Sequence, residues 1–284
     1  MDLRARLAGV LDTWELELLP HSYDIIGDIA IIRVPQRLKH RAQDIAEAVL
    51  KANKHVKTVL RQVSPIVGEF RLREVKWVAG EEKTETIHKE HRCLFKVNLE
   101  CCYFSPRLSY ERKRIADQVG QGEIVINMFS GVGCFSIVIA KHSKAEKVYS
   151  IDLNPSAIEF QKENIRLNRA ERVVKPILGD AARVIDERLR NVAHRILMPL
   201  PEKAYEYLSH AVLALKPGDG WVHYYNFVHS GRDEKPVEKV EEKVCGKMDV
   251  LNLDFRIPSA RIVRTVGPRW YQVVLDILVR KKSL

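Results

Sequence analysis

The chain lacks the features that mark membrane proteins, secreted disulfide scaffolds and structural metal domains. No apolar run reaches the ~18 residues that a membrane-spanning helix requires, so no transmembrane segment is expected. The start, Met1-Asp2-Leu3-Arg4, places an acid at the second position and has no continuous apolar stretch. It does not read as a secretory signal, and a cytoplasmic location is expected. Cysteines are few: Cys93, Cys101, Cys102, Cys134 and Cys245. None forms a CxxC pair, and no His/Cys cluster has zinc spacing, so no metal site is expected. An odd count without a framework points to reduced thiols, several of them in the core. There is no internal repeat and no low-complexity linker.

What is present is length, a sufficient core and positive charge. The chain has 284 residues, of which 46% are hydrophobic. That size suits two domains, at roughly 100–200 residues each. The formal net charge is +10, with Lys and Arg spread along the whole chain rather than gathered in a tail. Such a surface suits a polyanionic partner. It would equally suit a charge-rich, heat-adapted soluble protein, and charge alone does not choose.

The first third reads as a mixture of short strands and helices. Residues 1–20 fit one amphipathic helix, with Leu3, Leu7, Val10, Leu11, Trp14 and Leu18 on one face. A strand is predicted over 25–32, stopped by Pro35, then a helix over 39–53. Strand-like pieces follow at 56–62, 69–78 and 84–99. The character changes near residue 105. Pro106 opens a helix predicted over 107–119, and strands and helices then alternate strictly. Strands are predicted at 123–128, 147–152, 174–178, 195–198 and 220–225. Helices are predicted at 134–142, 155–168, around 180–190, and at 202–215 and 233–246. Two final strands, 251–263 and 271–280, close the chain. Alternation at this spacing predicts an α/β fold, a parallel sheet covered on both faces, with ligands at the carboxyl ends of its strands. The expected division is a smaller N-terminal α+β domain over 1–100 and an α/β domain over 101–284.

The first strand of the second part ends in Asn127-Met128-Phe129-Ser130-Gly131-Val132-Gly133-Cys134. Its glycines permit a tight turn and close approach of a ligand. By itself this is only a tight βα turn. The second strand ends in Asp152-Leu153-Asn154-Pro155, where an acid can bond a ribose hydroxyl pair. The third ends in Gly179-Asp180-Ala181, where Asp180 is placed to accept from an adenine amino group. Each acid also has an ordinary role as a helix N-cap. A Gly turn followed by two acids at three successive strand ends is harder to explain by capping alone. No Lys or Arg lies in the turn, which disfavours a nucleotide phosphate. The combination resembles class I (Rossmann-like) S-adenosylmethionine-dependent methyltransferases over roughly residues 105–284. The resemblance implies S-adenosyl-L-methionine as cofactor, held by Phe104, Phe129, Ser130, Gly131, Val132, Gly133, Asp152, Leu153, Asp180 and Ala181.

A more specific pattern precedes that fold: Tyr103-Phe104-Ser105-Pro106-Arg107-Leu108-Ser109-Tyr110-Glu111-Arg112. Tyr103, Arg107 and Glu111 are spaced by four, and from Pro106 onward Arg107 and Glu111 would share a helix face. The plain reading is a surface ion pair, worth little. The functional reading is a base-handling set. Removing the N1 proton of guanine needs a carboxylate, and charge developing toward O6 needs a cation. This stretch, with Phe129–Gly133 and Asp152–Pro155, resembles the archaeal and eukaryotic tRNA guanine-37 N1-methyltransferases. Tyr23-Asp24-Ile25-Ile26-Gly27-Asp28, Gly80-Glu81-Glu82-Lys83-Thr84-Glu85-Thr86 and His223-Tyr224-Tyr225 extend the resemblance from about residue 18 to the end. It implies Glu111 as general base and an Arg in Phe70-Arg71-Leu72-Arg73-Glu74 on guanine O6, either Arg71 or Arg73. It implies Tyr103 and Arg107 as positioning the base and the adjoining tRNA backbone. The competing reading of Arg71 and Arg73 is an exposed edge strand with alternating charge.

Two departures from the family pattern stand out. Its loop after the fourth strand carries Asn where this chain has Pro199, within Met198-Pro199-Leu200-Pro201. A side-chain amide is lost and the loop stiffens. Pro199 is thereby a catalytic-loop residue, with Leu200 and Pro201 as substrate contacts. The loop looks like that of the wyosine-associated archaeal branch, whose members can methylate guanine N1 and also carbon 7 of the tricyclic imidazopurine made from it. The plainer alternative is that Pro199 only fixes the turn and backbone carbonyls hold the base. Second, only about 20 residues precede the matching segment, so the family's common N-terminal module is not among them. Residues 21–100 are then expected to dock the anticodon stem-loop through phosphate contacts, with the target base leaving its stack. A monomer is expected.

A related enzyme transfers the aminocarboxypropyl group of S-adenosylmethionine to the same modified guanosine. Arg107 and Pro201 argue for methyl transfer, because that transferase tends to lack both. A non-catalytic tRNA-binding protein with a vestigial cofactor fold is the alternative of another class; intact Asp152, Asp180 and Glu111 count against it. A small-molecule or protein methyltransferase fits the charge and the front domain less well.

Overall fold

The computed structural model describes residues 3–20 and 22–281. The chain divides into two compact units, Met1–Ser109 and Tyr110–Leu284.

Unit 1 contains α1 (Leu3–Leu7), α2 (Thr13–Leu18), β1 (Asp24–Ile26), β2 (Ile29–Ile32), α3 (Ala42–Ala52), β3 (Thr58–Gln62), β4 (Val75–Gly80), β5 (Glu85–Glu90) and β6 (Cys93–Asn98). Strands β1 to β4 form one sheet in that order, antiparallel except for the parallel pair β2/β3. Helix α3 buries Ile45, Ala46 and Val49 in a core with Leu7, Leu11, Leu19, Ala30, Ile32 and Val59.

Four sequence expectations fail here, each for a local reason. The single helix over 1–20 is two short helices, because Gly9 takes a left-handed conformation and Asp12 starts a new helix, its N–H donating to Glu15 Oε2. Leu7 and Leu11 are buried, whereas Val10, Trp14 and Leu18 are exposed. Met1 and Asp2 lie outside the described residues. The strand over 25–32 is folded into the β1–β2 hairpin at Gly27-Asp28, with Gly27 at φ +56°. Residues 69–74 are a turn rather than strand: Val67 N–H bonds Leu72 O at 2.9 Å, and pairing begins at Val75. The stretch 84–99 is a hairpin, β5/β6, turned by His91 and Arg92 at φ 46° and 59°. A two-residue turn with both φ positive matches the twist of its strands.

Two motifs 55 residues apart meet in this unit. Thr86 Oγ1 donates to Asp28 Oδ1 at 2.7 Å, Lys83 Nζ donates to Asp28 Oδ2 at 2.7 Å, and Gly27 N–H reaches His88 Nδ1 at 3.1 Å. A Cβ on Gly27 would lie 2.1 Å from Thr86 Oγ1 and 2.6 Å from Ile87 O.

Unit 2 contains α4 (Ser109–Gln118, its first residue the last of unit 1), β7 (Ile124–Asn127), α5 (Cys134–His142), β8 (Lys147–Asp152), α6 (Pro155–Leu167), β9 (Val174–Leu178), α7 (Ala181–Val184), β10 (Arg195–Met198), α8 (Ala204–Ala214), β11 (Gly218–His229), α9 (Pro236–Val250), β12 (Asp254–Gly267) and β13 (Trp270–Lys281). The helix predicted over 107–119 instead begins with a 3-10 turn at Pro106–Leu108. The region around 180–190 is one α-turn followed by a π-turn, Ile185–Leu189.

The seven strands run in the order β12-β13-β11-β10-β7-β8-β9. From β11 to β9 all neighbours are parallel. The expected parallel sheet is extended at one end by the two final strands, where β13 and β12 pair antiparallel. Pro258 is tolerated in edge strand β12 because the register shifts between Arg256 and Ser259. Strand β11 shows how the sheet sorts its faces. Val222 and Tyr224 join the core with α8 and α9, and His223 and Tyr225 alternate to the other face. The seven-stranded α/β sheet preceded by an α+β part is the class I methyltransferase arrangement that the sequence suggested.

Candidate active site

The strand order reverses between β7 and β10, which makes their carboxyl ends the topological switch point where such sheets hold ligands. Two loops meet there, Met128–Gly133 after β7 and Pro199–Pro201 after β10. The register sets their level: Asn127 pairs with Leu197, and Met198 with Tyr224.

The Gly loop is rigid by construction. Gly131 and Gly133 have φ +54° and +92°. A Cβ on Gly133 would lie 2.9 Å from Gln161 Cγ. Gln161, on α6 and fully buried, donates to Ser130 Oγ at 2.6 Å and Gly131 O at 3.0 Å. Asn164, one turn on, donates to Val132 O at 3.0 Å. The sequence reading missed both braces; two buried amides on the helix after an acid were their only trace. Phe129 meets Tyr207 of α8 edge to face, with ring centroids 5.2 Å apart.

Asp152 closes the loop. Its Oδ2 accepts from Gly131 N–H at 2.6 Å and its Oδ1 from Asn154 N–H at 2.9 Å. Burial pushes its carboxyl above the usual range, against backbone N–H groups of Asn154, Gly131 and Leu153 that favour the charged form. Asp180 caps α7, Oδ1 accepting from Arg183 N–H at 3.0 Å, while Oδ2 accepts from the Tyr207 hydroxyl at 2.5 Å. Asp180 is thus both the expected strand-end acid and the ordinary cap. Each carboxylate oxygen keeps a second lone pair for a ligand. Leu153 is exposed beside Asp152, whereas Ala181 is buried.

Glu111 sits on the face of the sheet that carries Tyr225. Its carboxylate is 1% exposed and accepts from the Tyr225 hydroxyl at 2.7 Å, from Arg114 Nη2 at 2.7 Å, and from Arg261 Nη2 of β12. All three neighbours donate to it, which suits the acceptor-only oxygens of a carboxylate. Tyr225 follows Tyr224, the partner of Met198, so Glu111 lies at the level of the β10 loop.

In unit 1, Arg107 Nε donates to Asp24 Oδ1 at 2.7 Å, and Arg73 Nη1 lies 3.9 Å from Asp24 Oδ2. Burial pulls the Arg73 guanidinium below its ordinary value, partly offset by Asp24. Arg71 adopts φ +55° and lies over the Tyr103 ring, 4.8 Å from its centroid. Phe104 is buried against His88 and Phe95, at 5.1 and 6.4 Å. The structure therefore brings together Arg71 with Tyr103 and Arg73 with Arg107, each pair inside this unit.

In the β10 loop, Leu200 O accepts from Lys203 and Ala204 N–H at 3.1 and 3.0 Å, so this carbonyl is already used to start α8. Pro201 is buried, and Pro199 and Leu200 are partly exposed. The sequence reading also missed Arg114, Arg261 and Asp276. Arg114 is one helical turn from Glu111, and Asp276 interrupts the apolar run Val273–Val279; both were visible as patterns. Arg261, on an edge strand, was not. Among the described residues no cluster could hold a metal ion, and no helix is long and apolar enough to cross a membrane.

Residues 86–251 match the family model of the TRM5/TYW2 methyltransferase domain, and residues 3–84 match that of the TYW2 N-terminal domain. The tRNA (guanine(37)-N(1))-methyltransferase Trm5b of Pyrococcus abyssi is 42% identical over 261 residues, 92% of this chain and 76% of its own. The tRNA 4-demethylwyosine(37)-methyltransferase Taw21 of Saccharolobus solfataricus is 39% identical over 273 residues, 96% of this chain and 97% of its own. The tRNA(Phe) (4-demethylwyosine(37)-C(7)) aminocarboxypropyltransferase of Methanocaldococcus jannaschii is 35% identical over 258 residues, 89% and 96% of the two chains. Among solved structures, the complex of aTrm5 and tRNALeu superposes with a TM-score of 0.84 at 34% identity, covering 98% of this chain and 78% of that one. P. horikoshii TYW2 in complex with MeSAdo superposes with a TM-score of 0.78 at 29% identity, covering 99% and 98%.

Proposed function

The chain belongs to the TRM5/TYW2 methyltransferase family, and from that premise we propose that it transfers the methyl group of S-adenosylmethionine to N1 of guanine 37 in the tRNA anticodon loop. The cofactor supplies an electrophilic sulfonium methyl when bound. The residues present suit it. The Gly131–Gly133 turn is a tight left-handed turn braced from behind by Gln161, acids stand at two adjacent strand ends, and no cation in the turn demands a phosphate. Phe129, Ser130, Gly131, Val132, Gly133, Asp152, Leu153, Asp180 and Ala181 line that place, and Phe104 is assigned to the same role from its motif.

The observation that carries the reading is Glu111: a buried carboxyl group held by three donors at the carboxyl end of the sheet, level with the β10 loop. It takes the guanine N1 proton. Of the two upstream arginines, Arg71 is favoured for O6, because it adopts a left-handed conformation that lays its guanidinium over the ring of Tyr103. Arg107 holds the adjoining backbone. The anticodon arm as partner, a monomeric state and a cytoplasmic location belong to the same proposal.

Pro199 favours a second reading, methylation of carbon 7 on the tricyclic wyosine intermediate. Without the side-chain amide, the loop offers a guanine edge no side-chain donor, and since neither Pro199 nor Pro201 has an N–H, its only backbone donor is that of Leu200. The deciding experiment uses labelled S-adenosylmethionine with two tRNAs, one carrying guanine at position 37 and the other the demethylated tricyclic base. Label on guanine N1 is expected. Label on both substrates makes the enzyme dual. An aminocarboxypropyl adduct, or no product, overturns the proposal.

A further inference from the structure

The cluster around Glu111 does not end at its first neighbours. Helix α4 presents Glu111 to β11 and β12, and Arg114 and Gln118 to β13, at helical spacing. Arg114 is a fork between two carboxylates. Its Nε and Nη2 bond Glu111, and its Nη1 and Nη2 bond Asp276 at 2.5 and 3.1 Å. Gln118 Nε2 adds a third donor to Asp276 at 3.3 Å. Asp276 is 2% exposed and stands between Leu275 and Ile277. A buried acid in an apolar strand costs several kcal/mol unless fully paired, so its partners are part of its purpose.

Behind Asp276 the partners continue. His223 is its direct cross-strand neighbour, Nδ1 lying 2.6 Å from Oδ1. His223 Nε2 lies 2.7 Å from Arg195 Nη1. An arginine can only donate. Nε2 must therefore accept, which leaves the ring neutral and its one proton on Nδ1, donated to Asp276. Arg195 is fixed in turn by Glu123 at 2.7 and 3.0 Å and by Gln118 O at 2.8 Å. Three guanidiniums (Arg114, Arg195, Arg261) face three carboxylates (Glu111, Asp276, Glu123), so the cluster is neutral as a whole.

We infer that Asp276 is a positioning residue for Glu111: through Arg114 it fixes the orientation of the carboxylate, and His223 and Arg195 fix Asp276. The inference rests on the proposal that Glu111 is the base. Orientation matters because a proton acceptor must lie within hydrogen-bond reach of its donor. Charge matters too. When Glu111 takes up a proton it becomes neutral, and Arg114 would lose its counter-ion. Asp276 keeps that guanidinium paired, while Arg261, the other cation on Glu111, has a side chain 31% exposed and so keeps contact with water.

The test is a double-mutant cycle under saturating tRNA and cofactor, with cofactor binding by calorimetry as a check on folding. Asp276→Asn preserves shape and removes charge. It should lower kcat by about tenfold or more while leaving the KM and Kd for S-adenosylmethionine unchanged. In a Glu111→Gln background, Asp276→Asn should cost less than about twofold further, since both act through one group. Normal turnover of Glu111→Gln would remove Glu111 as the base, and the inference with it. A slow Glu111→Gln with a normal Asp276→Asn, or with effects that multiply in full, would overturn the inference alone. If Asp276→Asn loses cofactor binding, Arg114→Lys carries the same cycle, because it keeps the charge and loses the fork.

Discussion

His223 and Asp276 face each other across β11 and β13, and the proton between them belongs to His223 Nδ1, because Arg195 occupies the other ring nitrogen as a donor. Burial holds the His223 imidazole below its ordinary value, against the hydrogen bond to Asp276 and with help from Arg195 and Arg114. Burial alone would raise Asp276, but hydrogen bonds from His223 and Arg114 outweigh it and hold the carboxyl well below its usual range. The sign of the pH dependence follows. An unfolded histidine binds a proton below about pH 6.5 while native His223 resists it, so stability falls as pH drops below that value. Asp276 has the same sign at lower pH: its contribution is complete above about 3.9 and is lost as pH falls through its depressed native value. Melting curves between pH 8 and 5 should therefore decline from near pH 6.5, and His223→Gln should reduce the decline. Nitrogen NMR of the ring should show a single Nδ1–H tautomer throughout; a ring titrating near 6.5 would contradict the assignment.

The legible part of this molecule was whatever repeats along one segment. Strand–helix alternation from residue 123 gave most of the seven-stranded sheet, because parallel strands buried on both faces read as short apolar runs between amphipathic helices. Glu111, Asp152, Asp180 and the Gly loop were legible as motifs at strand and helix ends. What escaped was what long-range pairing decides. Nothing local announced that residues 69–74 form a turn, since a left-handed Arg71 is enforced by the Val67–Leu72 closure. The antiparallel edge of the sheet depends on which strand β13 finds. Arg261 reaches Glu111 across 150 residues, from an edge strand whose alternation looks like solvent exposure.

The cofactor loop should be intolerant of a single methyl group. Gly133 combines φ +92° with a Cβ position 2.9 Å from Gln161 Cγ and 3.2 Å from Ile137 Cδ1. A left-handed alanine costs roughly 1–2 kcal/mol, and Gln161 must also yield, releasing Ser130 and Gly131. Gly133→Ala should weaken S-adenosylmethionine binding by about tenfold or more in calorimetry. Gln161→Ala, which removes the brace without backbone strain, should weaken it less. Wild-type affinity in Gly133→Ala would show that the loop's shape is not what holds the cofactor.

Gly27 makes a matching prediction for unit 1. Its Cβ would fall 2.1 Å from Thr86 Oγ1 and 2.6 Å from Ile87 O, and the second contact is backbone that cannot rotate away. Gly27→Ala must separate β5 from the β1–β2 turn and break the Thr86 and Lys83 bonds to Asp28. The loss should be about 2 kcal/mol or more, in the range of overpacked sites. Denaturant unfolding monitored at Trp77 of β4 should show an earlier midpoint. An unchanged midpoint would mean that β5 adapts without cost.

Pro199→Asn addresses substrate choice. Pro199 follows β10 at the switch point, and the next carbonyl, Leu200 O, is already spent on starting α8. The loop as it stands offers a base no side-chain hydrogen bond. An asparagine adds a side-chain amide that donates through its NH2 and accepts through its carbonyl, and a hydrogen bond made to one substrate but not another is worth about 1 kcal/mol, roughly a fivefold ratio. Pro199→Asn should thus raise kcat/KM for guanine-37 tRNA relative to tRNA carrying the tricyclic base, by about that factor. The measurement is competition between the two tRNAs for a limiting amount of labelled cofactor. An unchanged ratio would mean that discrimination lies with Arg71 and Tyr103 instead. In that case Arg71→Lys, which keeps the charge but loses the planar stack on Tyr103, should shift the ratio where Pro199→Asn did not.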